Sequence, residues 1–171
     1  REIHARRFVI ATGSHPAIPP IAGLDTVPFL TNETIFEQTT RPDHLIVIGG
    51  GPIGMEMAQA HRRLGCKVTV IEAAKVLAKD DPELTALIID RLILEGVEIL
   101  EGVKVEEVSG AAGRISVRIA DASGARAIEG THLLVATGRK PNIDELDLDK
   151  AGVATDAHGI KVDDQLRTAN K

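Results

Sequence analysis

His44-Leu45-Ile46-Val47-Ile48-Gly49-Gly50-Gly51-Pro52-Ile53-Gly54 is the stretch on which the fold turns. A short apolar run that stops at three glycines reads as a buried strand entering a tight turn. The residues after it, Pro52 to Leu64, read as a helix. Pro52 is tolerated at the first helical position because its missing N–H has no partner there, and Gly65 supplies the stop. Cys66 to Glu72 is then a second strand, and it ends in an acid about twenty residues beyond the glycines, the spacing of a dinucleotide fingerprint. Each residue has a physical task. Gly49 permits the tight turn, Gly51 lets a pyrophosphate approach the backbone, and Gly54 lets the helix pack on the sheet. With Gly50 and Ile53 they form a loop whose free N–H groups, at the positive end of the helix dipole, attract phosphate. Glu72 is placed to accept hydrogen bonds from the adenosine ribose hydroxyls.

Beyond this unit, Asp80 or Asp81 caps another helix, with Pro82 in its first turn and Gly96 at its end. Leu84, Leu87, Ile88 and Leu92 recur at helical spacing and are expected to face the sheet. Val97 to Leu100 reads as a further strand. Val103 to Val108, Arg114 to Ala120 and Ala125 to Ile128 then read as three strands of an antiparallel meander, joined by turns at residues 110–113 and at Ser123-Gly124. His132 to Ala136 returns to an apolar strand that ends at Thr137-Gly138. The expected fold is α/β: a Rossmann-like parallel sheet with a three-stranded antiparallel meander as its last crossover. Upstream, Arg7 to Ala11 reads as a buried strand. Pro16, Pro19, Pro20 and Gly23 suggest an extended crossover, and a short helix is expected from Thr31-Asn32 to before Pro42.

Composition narrows the function classes. The 171 residues are 43% hydrophobic and 26% charged, with a net charge of −5, the balance of a water-soluble domain. The charges are interspersed and neither Trp nor Tyr is present, which argues against nucleic acid as a partner. No apolar run is long enough to span a bilayer. One cysteine, Cys66, excludes an intrachain disulfide and reads as a core thiol in a cytoplasmic-type protein. His4, His15, His44, His61, His132 and His158 lack metal-ligand spacing and read as structural or solvated. Asp144, Glu145, Asp147 and Asp149 read as a solvated acidic face, and Arg6-Arg7 and Arg62-Arg63 as isolated basic pairs. Both ends of the sequence read as cuts through a longer chain.

The chain carries two copies of one element, Ala11-Thr12-Gly13-Ser14 and Ala136-Thr137-Gly138-Arg139-Lys140-Pro141-Asn142, on either side of Ile48-Gly49-Gly50-Gly51-Pro52-Ile53-Gly54-Met55-Glu56. This ordered set resembles the pyridine nucleotide-disulfide oxidoreductases, which include dihydrolipoamide dehydrogenase, glutathione reductase and mercuric reductase. The resemblance implies an NAD-binding domain at residues 14–141, set between flanks 1–13 and 142–171 that belong to an FAD-binding and central part. It implies hydride transfer from NADH to FAD and on to a redox disulfide in a homodimeric parent. The piece itself is expected to be inactive, and its flanks less ordered than its core.

The resemblance also assigns residues. Glu56 matches a glutamate that reaches toward the flavin, Val105 a position packed on adenine, and Thr137-Gly138 a backbone near the nicotinamide ribose. Pro52 stands where some relatives have a tyrosine over the nicotinamide pocket, which argues against a glutathione reductase type. A dihydrolipoamide dehydrogenase type is the first expectation, a mercuric reductase or NAD(P) transhydrogenase type the alternative. A free-standing NAD-binding regulatory domain is the rival from another class. Glu72 is expected to favour NAD over NADP, with Lys75 able to soften the preference.

Overall fold

The computed structural model describes residues 2–121 and 124–170. In chain order its strands are β1 (Ser14–Pro16), β2 (His44–Ile48), β3 (Lys67–Glu72), β4 (Glu98–Glu101), β5 (Lys104–Ala111), β6 (Arg114–Asp121), β7 (Gly124–Gly130), β8 (His132–Val135), β9 (Arg139–Pro141), β10 (Thr155–Asp156) and β11 (Gly159–Ile160). The helices are α1 (Pro52–Arg63) and α2 (Pro82–Leu94). Two compact units result: Pro16–Gly138, and the residues up to His15 together with those from Arg139 onward.

The larger unit is built on a parallel sheet of order β4-β3-β2-β8. The chain steps from β2 outward to β3 and β4 through α1 and α2, then returns to the far side of β2 through the antiparallel meander β5-β6-β7. Crossovers in a parallel sheet keep one hand, so reversing direction along the sheet moves the connection to the opposite face. Helices therefore cover one face and the meander the other. Leu45 and Val47 pack with Met55, Ala58 and Leu92 on the helix side. Ile46 and Ile48 pack with Val108, Val117 and Ile119 on the meander side. Burial of both faces is why β2 is a continuous apolar run rather than an alternating one.

Local signals set the helix ends. The Asp81 side chain accepts from the Glu83 N–H at 2.9 Å and caps α2. The Gly65 and Gly96 N–H groups bond Arg62 and Ile93 carbonyls at 3.0 and 2.9 Å and close the two helices. The expected meander turn at Ser123-Gly124 lies in part outside the described residues, while the other turn is tighter than read, β5 continuing to Ala111.

Four expectations are corrected. Residues Arg7 to Ala11 are irregular and exposed, Phe8 at 71% and Val9 at 89%. A buried strand needs a neighbour for its backbone, and no strand among the described residues pairs with them. The helix read from Thr31 is only a 3-10 turn, Ile35–Glu37. Leu30 is pinned to β8 by bonds with Leu133 and Val135 at 2.7 and 2.9 Å, and Ile35 is the one buried residue of the turn. With so small an apolar face, nothing sustains a longer helix.

On α2 the phase differs from the reading. Leu84, Leu87 and Ile88 are exposed, whereas Thr85 and Leu92 are buried and Ile89 packs on the core. The helix has apolar residues on two faces, and periodicity does not say which one meets the sheet. Arg62 and Arg63 are not isolated either. Arg62 donates to the Glu95 and Cys66 carbonyls at 2.7 and 3.1 Å, and Arg63 and Arg91 both reach the Glu95 carboxylate. Those hydrogen bonds, from Arg63 first and Arg91 next, pull the Glu95 carboxyl down to about 2.

In the smaller unit, the Thr12 hydroxyl donates to the Asn142 carbonyl at 2.7 Å, and the Asn142 amide donates to the Thr12 carbonyl at 2.9 Å. β10 and β11 form a short antiparallel hairpin. The acidic stretch is exposed, with Asp144 paired to Lys140 and Asp147 to Lys150.

Candidate functional site

In an open parallel sheet, ligands bind beyond the carboxyl ends of the strands where the chain reverses its direction of travel. Here that point lies between β2 and its neighbours β3 and β8. The residues at those ends are Gly49 to Gly54 after β2, Glu72 closing β3, Glu101 closing β4, and Ala136-Thr137-Gly138 after β8.

The glycine loop is shaped by close packing. Gly49 has a φ of 110° and its N–H donates to the Ile71 carbonyl at 2.9 Å. A Cβ there would lie 3.0 Å from the Thr137 nitrogen and collide with the Ala136 carbonyl, so the loop lies directly on the end of β8. A Cβ on Gly54 would lie 3.1 Å from the Gly49 carbonyl carbon and nearer still to its oxygen. Gly51 is different: nothing lies within 4 Å of its Cβ position. It is the N-cap of α1, with φ −74° and ψ 179°. The first intrahelical bond runs from the Met55 N–H to the Gly51 carbonyl at 3.0 Å. The N–H groups of Gly51, Ile53 and Gly54 precede it and have no carbonyl within the helix to serve. An open surface above Gly51, fronted by these N–H groups and the helix dipole, fits the phosphates of a dinucleotide.

Glu72 is held in place. Its carboxylate accepts from the Gly50 N–H at 2.7 Å and from the Ala74 N–H at 2.9 Å, one bond to each oxygen. Each oxygen keeps a lone pair, so the group can still accept from a ribose hydroxyl. The Val103 N–H donates to the Glu72 carbonyl at 3.1 Å, which brings the start of β5 past the end of β3 two residues before Val105. Val105 is half-buried against the meander-side core. The Thr137 hydroxyl donates to the Ala17 carbonyl at 3.0 Å, and the Ala17 N–H donates to the Gly138 carbonyl at 2.9 Å. Pro52 and Glu56 are exposed on the first turns of α1, and Lys75 is exposed after β3.

The structure thus joins Gly49 to Gly54, Glu72 and Thr137 at the carboxyl end of the sheet. Sequence reading passed over three further residues, packed against the glycine loop or against the segment that follows β3. The Glu101 carboxylate accepts from the Val76 N–H at 2.8 Å, Val76 packs on Gly50, and the Leu77 N–H donates to the Gly50 carbonyl at 2.9 Å. The available signal was Glu101 itself, a second acid at a strand end.

The family model for pyridine nucleotide-disulphide oxidoreductases matches residues 1–171. The chain belongs to that family. Among its relatives are mercuric reductases from Lysinibacillus sphaericus, 40% identical over 99% of this chain and 32% of the relative, and from Streptomyces lividans, 36% identical over 98% and 36%. The HOCl-induced flavoprotein disulfide reductase RclA from Escherichia coli superposes with a TM-score of 0.83 at 31% identity, covering 94% of this chain and 37% of that one. LpdA from Mycobacterium tuberculosis gives 0.80 at 28%, covering 93% and 34%. The chain therefore spans about a third of the length of these oxidoreductases.

Burial pushes the pKa of the Cys66 thiol upward. The buried His44 ring lies 2.9 Å from the Thr69 hydroxyl, which donates to Glu98 at 2.7 Å. No group of three or more metal-ligating side chains occurs among the described residues, and no helix among them is long and apolar enough to cross a membrane.

Proposed function

We propose that this chain is the NAD(H)-binding part of an FAD-dependent disulfide reductase. One observation carries the reading: the open N–H-lined surface at Gly51 lies beside a carboxylate, Glu72, fixed at the end of the neighbouring strand. Gly49, Gly50, Gly51, Pro52, Ile53 and Gly54 would cradle the pyrophosphate, Glu72 the adenosine ribose and Val105 the adenine. Thr137 and Gly138 would lie at the nicotinamide ribose and Glu56 toward the flavin. Bound NADH would supply the hydride that the flavin of the parent takes up and passes to a redox disulfide. This chain's own residues bind and orient the nucleotide. The domain would run over residues 14–141, with FAD and interface domains of the same parent, and a second copy of it, as partners.

The names of the relatives favour a mercuric reductase-like parent over the dihydrolipoamide dehydrogenase type read from the sequence.

The reading is tested by titrating NADH and NADPH into the protein and into Glu72→Ala. The phosphate of NADPH would meet a carboxylate that two backbone bonds prevent from swinging away. At about 4 Å and an effective dielectric near 20, each unit of repulsion is about 4 kcal/mol. Screening at a solvent-facing edge leaves about 1–3 kcal/mol, a preference for NADH of about five- to 150-fold. Lys75 offsets part of it. Equal wild-type affinities, or a preference unchanged in Glu72→Ala, would refute the assignment.

A further inference from the structure

Residues 73–77 form a strap from the end of β3 across the glycine loop. The strap is tied at Ala74, Val76 and Leu77. The Ala74 N–H bonds Glu72, its carbonyl accepts from Gly102, the Val76 N–H bonds Glu101, and the Leu77 N–H bonds the Gly50 carbonyl. Val76 and Leu77 are buried, and Val76 sits so close over Gly50 that a Cβ there would collide with its Cγ1. Leu77 has a φ of 51°, a left-handed conformation that an ordinary side chain adopts only when its surroundings impose it. That strained residue is the one whose N–H meets Gly50. Gly50 is thereby gripped on both polar groups, its N–H by Glu72 and its carbonyl by Leu77.

Beside Glu72, Glu101 is the second side chain that anchors this strap from outside it. It is exposed, pairs in register with Glu72 across β3 and β4, and spends one carboxylate oxygen on the Val76 N–H. We infer that Glu101 is a positioning residue for the dinucleotide, holding Val76 and Leu77 against Gly50 so that the glycine loop keeps its phosphate-binding shape before the ligand arrives. This rests on the nucleotide site proposed above. Preorganisation raises affinity by removing the cost of ordering the loop on binding, and the effect should fall on the pyrophosphate, the part of the ligand the glycine loop meets.

The test uses three substitutions of Glu101 and two ligands, NADH and ADP-ribose, which lacks the nicotinamide. Glu101→Gln keeps an oxygen that can accept from Val76 and removes the charge. Glu101→Asp keeps the charge but is one methylene too short to reach, and Glu101→Ala removes both. Glu101→Asp and Glu101→Ala are expected to bind both ligands about fivefold more weakly, by the same factor for each, the worth of about one hydrogen bond. Glu101→Gln is expected to bind like the wild type. Glu101→Asp and Glu101→Ala should lower Tm by no more than a few degrees, the loss of one hydrogen bond, and Glu101→Gln should melt as the wild type does. Hydrogen exchange at the Val76 and Leu77 amides should quicken in the Asp and Ala variants alone. Wild-type affinity in Glu101→Asp would overturn the inference, as would a loss in Glu101→Gln equal to that in Glu101→Ala. A wild-type protein that binds neither ligand would instead overturn the site itself.

Discussion

Gly51 and Gly54 lie three residues apart in one loop, yet alanine at the two positions should have opposite consequences. At Gly51 the backbone, φ −74° and ψ 179°, is one that alanine adopts freely, and its Cβ would have no neighbour within 4 Å. The unfolded chain loses conformational freedom and the folded state loses nothing, so Gly51→Ala should gain about 0.4–1 kcal/mol of stability. For a chain of this size that raises Tm by about 1–4 °C. The new methyl group would occupy the space through which a pyrophosphate reaches the loop N–H groups. Each such charge-assisted bond is worth about 1.5–3 kcal/mol, so the loss of one weakens NADH binding about ten- to hundredfold. At Gly54 the Cβ would press on the Gly49 carbonyl, 3.1 Å from its carbon, and lie 3.4 Å from Val47 Cγ1. Both are backbone or core atoms with nowhere to go. Overpacking of this kind costs about 1–3 kcal/mol, a fall in Tm of about 2–12 °C. Thermal unfolding by circular dichroism and NADH titration by its own fluorescence read the two effects separately. A Gly51→Ala protein that binds NADH normally would refute the reasoning, and so would one that melts lower than wild type.

Two further outcomes follow from the core. Leu92 is 1% exposed, and Leu92→Ala should lower stability in denaturant by about 2–5 kcal/mol. Leu84, 63% exposed on the same helix, should change it by less than about 0.5 kcal/mol when replaced by alanine; the reverse order would show that the helix is seated on its other face. His44 is held below the ordinary histidine value of 6.5, by burial first and the Lys67 charge next, against smaller opposing effects of the Glu129 carbonyl and Glu98. The unfolded chain therefore takes up the proton first, so stability is fully present above about pH 6.5 and falls as the pH drops below it. Denaturant midpoints measured from pH 7.5 to 5 should decline in the wild type and decline less in His44→Gln; equal slopes would show that His44 does not carry the dependence.

The sequence by itself determined the local grammar. The apolar run His44 to Ile48, the glycine spacing, Pro52, Gly65 and the acid at Glu72 fix a strand, a turn, a helix and a strand in order, because each signal acts on its own few residues. The same holds for a cap at Asp80 or Asp81, of which the structure uses Asp81, and for the three meander strands. Only the tertiary structure decided what depends on partners far away in the chain. It chose the buried face of α2, since the exposed Leu84, Leu87 and Ile88 are at least as apolar as Thr85, Ile89 and Leu92, which meet the core. It gave Arg62 and Arg63 their partner in Glu95, about thirty residues on and invisible to any local pattern. It left Arg7 to Ala11 irregular, because a strand forms only where another strand accepts its hydrogen bonds. And it bound Glu101 to Val76 by packing β4 beside β3, and Leu77 to Gly50 by packing β3 beside β2, contacts that no spacing within one segment encodes.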